Sequence, residues 1–169
     1  MLSTRFGAAL VVMLAPCLAD KLPHALVAAI QSDLEVSEAQ ACINEHQLTL
    51  EQMISTTRLS LDTHDGQSLF VWGLGPCFGG ANNGPFLVYS RFGNKWRKIF
   101  DEIGNRLRPL RATSKGWHDL ELQAHNSAFR SVRYVYRFDG RQYTAVRCNV
   151  VDHQLPKPVY GPCNWDWKR

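Results

Sequence analysis

The chain has 169 residues, 45% hydrophobic and 11% aromatic, with a mean hydropathy of −0.24. That length suits one domain, and that composition supports a packed core and excludes a disordered chain. The 19 basic and 15 acidic residues give a formal charge of +4, and the basic ones are dispersed along the chain, so no nucleic-acid-binding stripe is expected.

Residues 1–19 read as a secretory signal peptide. Arg5 supplies the positive n-region, and Phe6 to Leu14 (FGAALVVML) is an apolar stretch too short to span a bilayer. Cys17-Leu18-Ala19 places small residues where a signal peptidase inspects the chain, so cleavage is expected after Ala19. The rival is a lipoprotein signal with Cys17 as the lipidated residue (LAPC), which Pro16 fits badly; an uncleaved anchor helix is a third reading. Cleavage removes Arg5 and no acid, lowering the charge from +4 to +3. The expected location is periplasmic or extracellular, or lipid-anchored on the rival reading, with no stable membrane span.

Cleavage leaves Cys42, Cys77, Cys148 and Cys163, an even set that reads as two disulfides in an oxidising compartment. Four cysteines allow three connectivities. Loop proximity favours Cys148–Cys163, which pins the 151–169 tail to the last strand, and leaves Cys42 with Cys77. No Cys-x-x-Cys pair exists, so no metal site is expected, nor any cofactor.

Residues 20–52 read as a helical segment. In Pro23 to Asp33 (PHALVAAIQSD), proline suits the first turn, and Leu26, Ala29 and Ile30 recur at helical spacing. Ser37-Glu38-Ala39-Gln40 has the form of a capping box, opening a second helix to about His46. Residues 53–150 then read as an antiparallel β domain. ISTTRLSLD (54–62) and SLFVW (68–72) form a hairpin turned at Asp65-Gly66. CFGGANNGPF (77–86) lacks a phosphate-loop lysine and precedes a strand, so it reads as a structural turn. FLVYSRFGNKWRKIF (86–100) is two strands joined at Gly93-Asn94, DLELQ (119–123) alternates apolar and polar, and residues 132–148 are a hairpin turned at Asp139-Gly140.

The two long hairpins match. Tyr89, Gly93, Trp96 and Ile99 correspond to Tyr136, Gly140, Tyr143 and Val146, at an offset of 47. This marks an internal repeat of propeller-blade length, with units at about 54–101 and 112–148. Two blades cannot close a propeller. The expected fold is therefore α+β and mainly β: a short N-terminal helical hairpin followed by antiparallel hairpins in two propeller-blade-like repeats, forming a partial propeller or a curved sheet.

DLELQAHNSAF followed by YVYRFDGRQYTAVRC resembles the C-terminal half of a group of small exported bacterial proteins of unknown function. Asp119, His125, Ser127, Ala128, Tyr136, Arg137, Phe138, Asp139, Gly140 and Tyr143 carry the resemblance, which extends upstream to about Asp62. These chains are similar to VCBS and FG-GAP propeller repeats but shorter, a likeness that implies a fold and no activity. Two departures stand out. Where relatives often carry Asp-x-Asn-x-Asp-Gly, this chain has Leu61-Asp62-Thr63-His64-Asp65-Gly66, too poor in oxygen ligands for calcium. Where relatives often carry a second cysteine closing the glycine-rich loop, Gly84 stands, which implies a distant partner for Cys77.

No nucleophile elbow is present, and none of the six histidines forms a His-x-x-x-His pair. Candidate site residues are His118 and Asp119 just before a strand, His125 and Ser127 in the loop after it, and Trp117 beside them. Asp101-Glu102 reads as a solvated polar turn, not a glycosidase pair. Trp96 reads as core, and Trp165 and Trp167 read as packed on the sheet beside Cys163. The favoured function is a non-catalytic exported protein, inhibitor- or immunity-like, that binds a cell-envelope protein or a glycan. The alternatives are a small envelope hydrolase using His118, Asp119 and His125, and a structural envelope component.

Overall fold

In a computed structural model, residues 22–33, 37–62, 67–73, 76–78, 83–153 and 159–162 are described, the last four, 37–40 and Pro76 by backbone alone. The signal segment with Cys17, and Cys163, Trp165 and Trp167, lie outside the described residues.

Three helices come first: α1 (His24–Asp33), α2 (Ser37–Glu45) and the single turn α3 (Leu50–Met53). The strands are β1 (Ile54–Leu59), β2 (Ser68–Gly73), β3 (Gly84–Phe92), β4 (Lys95–Gly104), β5 (Arg106–Ser114), β6 (Trp117–His125), β7 (Arg130–Phe138), β8 (Tyr143–Asp152) and β9 (Val159–Pro162). They form two antiparallel meanders, β1-β2-β3-β4 (sheet 1) and β5-β6-β7-β8-β9 (sheet 2). The fold is mainly β, and the hairpins expected at 54–72, 86–100 and 132–148 are all present. β5 and β9 are additions. β5 carries Pro109, tolerated because β5 is an edge strand. Sheet 2 therefore begins at Arg106, ahead of the expected unit start at 112.

Local chemistry sets the turns. Gly93 has φ +64 in the two-residue turn between β3 and β4. Lys115 (φ 52) and Gly116 (φ 79) both sit in the left-handed region and close β5 onto β6. After β7 the turn is held by Asp139, whose carboxylate accepts from the Arg141 and Gln142 amides at 2.7 and 2.9 Å. At Gly104, where β4 leaves sheet 1, an added Cβ would lie 2.5 Å from Leu122 Cδ1 and 2.8 Å from the Gln123 carbonyl oxygen, so no larger residue fits without movement. A capping contact does occur, but at α3: the Thr49 amide donates to Gln52 Oε1 at 2.8 Å. The side chains of the box expected at Ser37–Gln40 lie outside the described residues.

Two apolar clusters make three layers. Leu26, Ile30 and Ile43 of the helices pack with Val71, Leu87 and Tyr89 on one face of sheet 1. Phe86, Val88 and Phe100 on its other face pack with Leu120, Leu122, Val132, Tyr134 and Tyr136 of sheet 2. Because β3 is covered on both faces, Phe86 to Ser90 are buried without alternation. Phe100 meets Tyr136 edge-on with centroids 4.9 Å apart. Each such side chain contributes about 1.5–3 kcal/mol on burial.

The Cys42–Cys77 disulfide, with Cα atoms 5.6 Å apart, ties α2 to the short turn Pro76–Phe78 under sheet 1. Loop proximity leaves this pair by elimination, and it forms. Cys148 is disulfide-bonded as well, while Cys163, its expected partner, lies outside the described residues. The oxidised pair is compatible with an exported, oxidising environment. Among the described residues no helix is long and apolar enough to cross a membrane.

The central hairpins of the two sheets share an irregularity. The β3–β4 register slips between Val88 and Tyr89, and the β7–β8 register slips between Val135 and Tyr136. The unpaired residues opposite the slips are Ile99 and Val146. Ile99 is 1% exposed and Val146 is 44% exposed, so matched positions meet different surroundings.

Candidate functional site

Where the end of β4 meets β6 and β7, the two sheets part to leave a cleft of about 550 Å³. Leu122, Ala124 and Val132 line its apolar part, and Ile103, 66% exposed, stands at the rim. Asn83, Asp101, Glu102, His125, Asn126 and Tyr134 complete its lining.

Each polar group has a structural reason for its place. Asn83 closes the loop 77–86 and clamps the end of β6. The His125 amide donates to Asn83 Oδ1 at 2.9 Å, and Asn83 Nδ2 donates to the His125 carbonyl at 2.9 Å. Asn83 thereby becomes part of the cleft wall. Asp101 and Glu102 lie inside strand β4, not in a solvated turn, which corrects the sequence reading. As successive strand residues they point apart. Asp101 pairs with Lys98 at 2.7 Å, whereas Glu102 is half-buried beside Tyr134 and Tyr136. Burial, and next the Glu102 charge, push the Tyr134 hydroxyl up to about 12; the same causes push Tyr136 higher. The cleft thus sets the neutral Tyr134 phenol beside Glu102. That arrangement can hold a polar ligand. It does not supply two carboxylates facing one bond, as glycoside cleavage requires.

The residues singled out from sequence are not brought together. Trp117 opens β6 and stacks between Phe138 and Phe92, with centroids 4.5 and 6.0 Å away. His118 Nδ1 bonds the Leu110 carbonyl at 2.8 Å, and Tyr143 donates to the His118 carbonyl at 2.7 Å. Asp119, 3% exposed, accepts from Ser114 at 2.6 Å and faces Arg137 at 3.4 Å. Ser127 Oγ accepts from the Phe129 and Arg130 amides at 3.3 and 3.1 Å, shaping the β6–β7 turn. His125 ends β6, seven residues and about 23 Å of extended chain from His118. A site built from His118, Asp119 and His125 together is therefore not formed, and of the five only His125 lines the cleft. Asn83, Glu102 and Tyr134 were missed. Asn83 carried one signal, as the second half of an adjacent asparagine pair in a glycine-rich loop.

Among the described residues one cluster of metal-ligand types lies close together: Cys42, His46 and Cys77, with ligand atoms within 4.8 Å of one another. Its two sulfurs are joined to each other, so neither is a thiolate.

No protein-family model, no curated protein and no solved structure matches the chain.

Proposed function

We propose that this is an exported, non-catalytic protein, inhibitor- or immunity-like, whose inter-sheet cleft takes a polar group from a cell-envelope or extracellular partner. One observation carries the reading: the cleft gathers Glu102, His125, Asn126 and Tyr134 around an apolar floor while leaving His118 and Asp119 in structural bonds. The disulfide and the signal-like N-terminus fit the oxidising side of a membrane.

We further infer that the sheets are two copies of one blade-like unit, of the VCBS and FG-GAP kind, with α1 and α2 as a hairpin in the place of a preceding blade. The shared slip 47 residues apart supports this. So does the setting of Tyr89 and Tyr136. Tyr89 faces Asp33 of the helical layer, and Tyr136 faces Glu102 of sheet 1.

A photoreactive residue at Ile103 tests the binding reading in the cells that export the chain. Crosslinking to a defined partner that falls when Glu102→Gln or His125→Ala is introduced supports it. A crosslink yield no greater than from a probe at exposed Lys95, or one insensitive to both substitutions, removes it. Recovery of the chain beginning at Asp20 outside the cytoplasm tests export.

A further inference from the structure

The outer face of sheet 2, turned away from sheet 1, carries a concentration of charged side chains. Leu120, Leu122, Val132, Tyr134 and Tyr136 point into the core, so the alternating residues between them point outward. Strand pairing sets Arg106, Gln123, Arg133 and Asn149 in one row across four strands, and Arg108, Glu121, Val135 and Arg147 in the next. Arg137 lies beyond. Five guanidiniums thus share a face with two carboxylates, Asp119 and Glu121, which pair with Arg137 at 3.4 Å and Arg108 at 2.8 Å. Arg108 and Arg137 remain 50% and 61% exposed. Arg106 and Arg147 are exposed and have no ion pair among the described residues.

We propose that this face binds an acidic polysaccharide, a glycan bearing carboxylate or sulfate groups. Strands about 4.8 Å apart and rows about 6.8 Å apart spread the guanidiniums over a plane that a linear polyanion can follow. The planar fork of arginine matches carboxylate and sulfate oxygens two at a time. None of the residues in these rows is aromatic. These two rows therefore offer no ring on which a neutral sugar or a nucleobase stacks, and no aromatic anchor of the sort that dominates protein interfaces. The choice of glycan over nucleic acid also rests on the export reading. The face lies on the opposite side of sheet 2 from the cleft and does not depend on it.

The test uses the full disulfide-bonded chain with polygalacturonate, dextran sulfate, uncharged dextran and a duplex DNA oligonucleotide, followed by affinity electrophoresis over a salt series. The expected result is binding to the two anionic glycans, weakening as salt rises, with no binding to uncharged dextran. Arg106→Gln with Arg147→Gln should weaken it about tenfold. Arg106→Lys with Arg147→Lys, which keeps charge but loses the fork, should fall between. Lys95→Gln with Arg97→Gln, on the sheet 1 hairpin, should match the parent. Thermal unfolding of each variant checks that it folds. The proposal is overturned by no binding to either anionic glycan at low salt, by equal losses in the face and hairpin variants, or by DNA binding as tight as glycan binding.

Discussion

Tyr134 and Tyr136 show how much a residue's chemistry depends on the layer it faces. Both read from sequence as strand aromatics, and both are. Nothing in the sequence places them beside Glu102, because that neighbour comes from the other sheet. The consequence is measurable. Burial, and next the Glu102 charge, push the Tyr134 hydroxyl from its ordinary 10.0 up to about 12, and Tyr89, Tyr136 and Tyr143 are raised further, burial leading in each case. A raised acid is held neutral by the fold, so its contribution is whole below pH 10 and is lost as pH climbs toward 12. Urea midpoints should stay level from neutrality to pH 10 and fall steeply above it, with tyrosinate absorbance from these residues rising only as the chain unfolds. A tyrosinate signal that precedes unfolding would contradict the burial described for these residues. Asp139 runs the other way. The Gln142 and Arg141 amides hold its carboxyl below the ordinary carboxylate range. Asp139→Ala should lower the thermal midpoint at pH 7, and the gap from the parent should close as pH falls through that range. Here the sequence was enough, because an Asp-Gly turn between two aromatic strands is local chemistry.

At the level of elements, hairpins were legible and long-range ties were not. β3–β4 and β7–β8 announce themselves by aromatic and β-branched runs around glycine turns. β5 did not, since RLRPLRATS carries a proline and exposes most of its residues, as an edge strand does. The loop at 77–86 reads from sequence as a turn, and its two ends show why it is more than that. Cys77 fastens it to α2, and Asn83 fastens it to the end of β6. The disulfide closes a separation of 35 residues, so Cys42→Ser with Cys77→Ser should cost about 3–4 kcal/mol in urea unfolding. Asn83→Ala removes two hydrogen bonds at the protein surface and should cost about 1 kcal/mol. Its clearer sign is faster amide exchange at His125 and through the β6–β7 turn, with exchange in α1 unchanged. Equal acceleration in both places would mean that Asn83 acts on overall stability and not on the cleft wall.

The arginines of sheet 2 mark where the layers of the described residues stop. From Arg106 to Arg147 they look dispersed in sequence, and strand order alone collects them on one face. Matching the two register slips puts Phe70, Trp72, Phe86 and Phe100 of sheet 1 at the places of Glu121, Gln123, Arg133 and Arg147 of sheet 2. In sheet 1 those aromatics face sheet 2 and build the inter-sheet core. In sheet 2 their counterparts are charged or amide-bearing, and moving several guanidiniums out of water costs more than the small apolar area near Val135 returns. Among the described residues no third sheet packs there: the positions that recruit sheet 2 onto sheet 1 refuse one onto sheet 2. Restoring the aromatic pattern should reverse that refusal. Glu121→Phe with Arg133→Phe and Arg147→Phe exposes an apolar patch in the register that sheet 1 uses, and large exposed patches of this kind drive association. Sedimentation of the triple variant should show concentration-dependent self-association, whereas Glu121→Gln with Arg133→Gln and Arg147→Gln, which removes the same charges without adding rings, should sediment as the parent does. Self-association of the glutamine variant would assign the limit to charge repulsion between chains and not to the loss of aromatic packing.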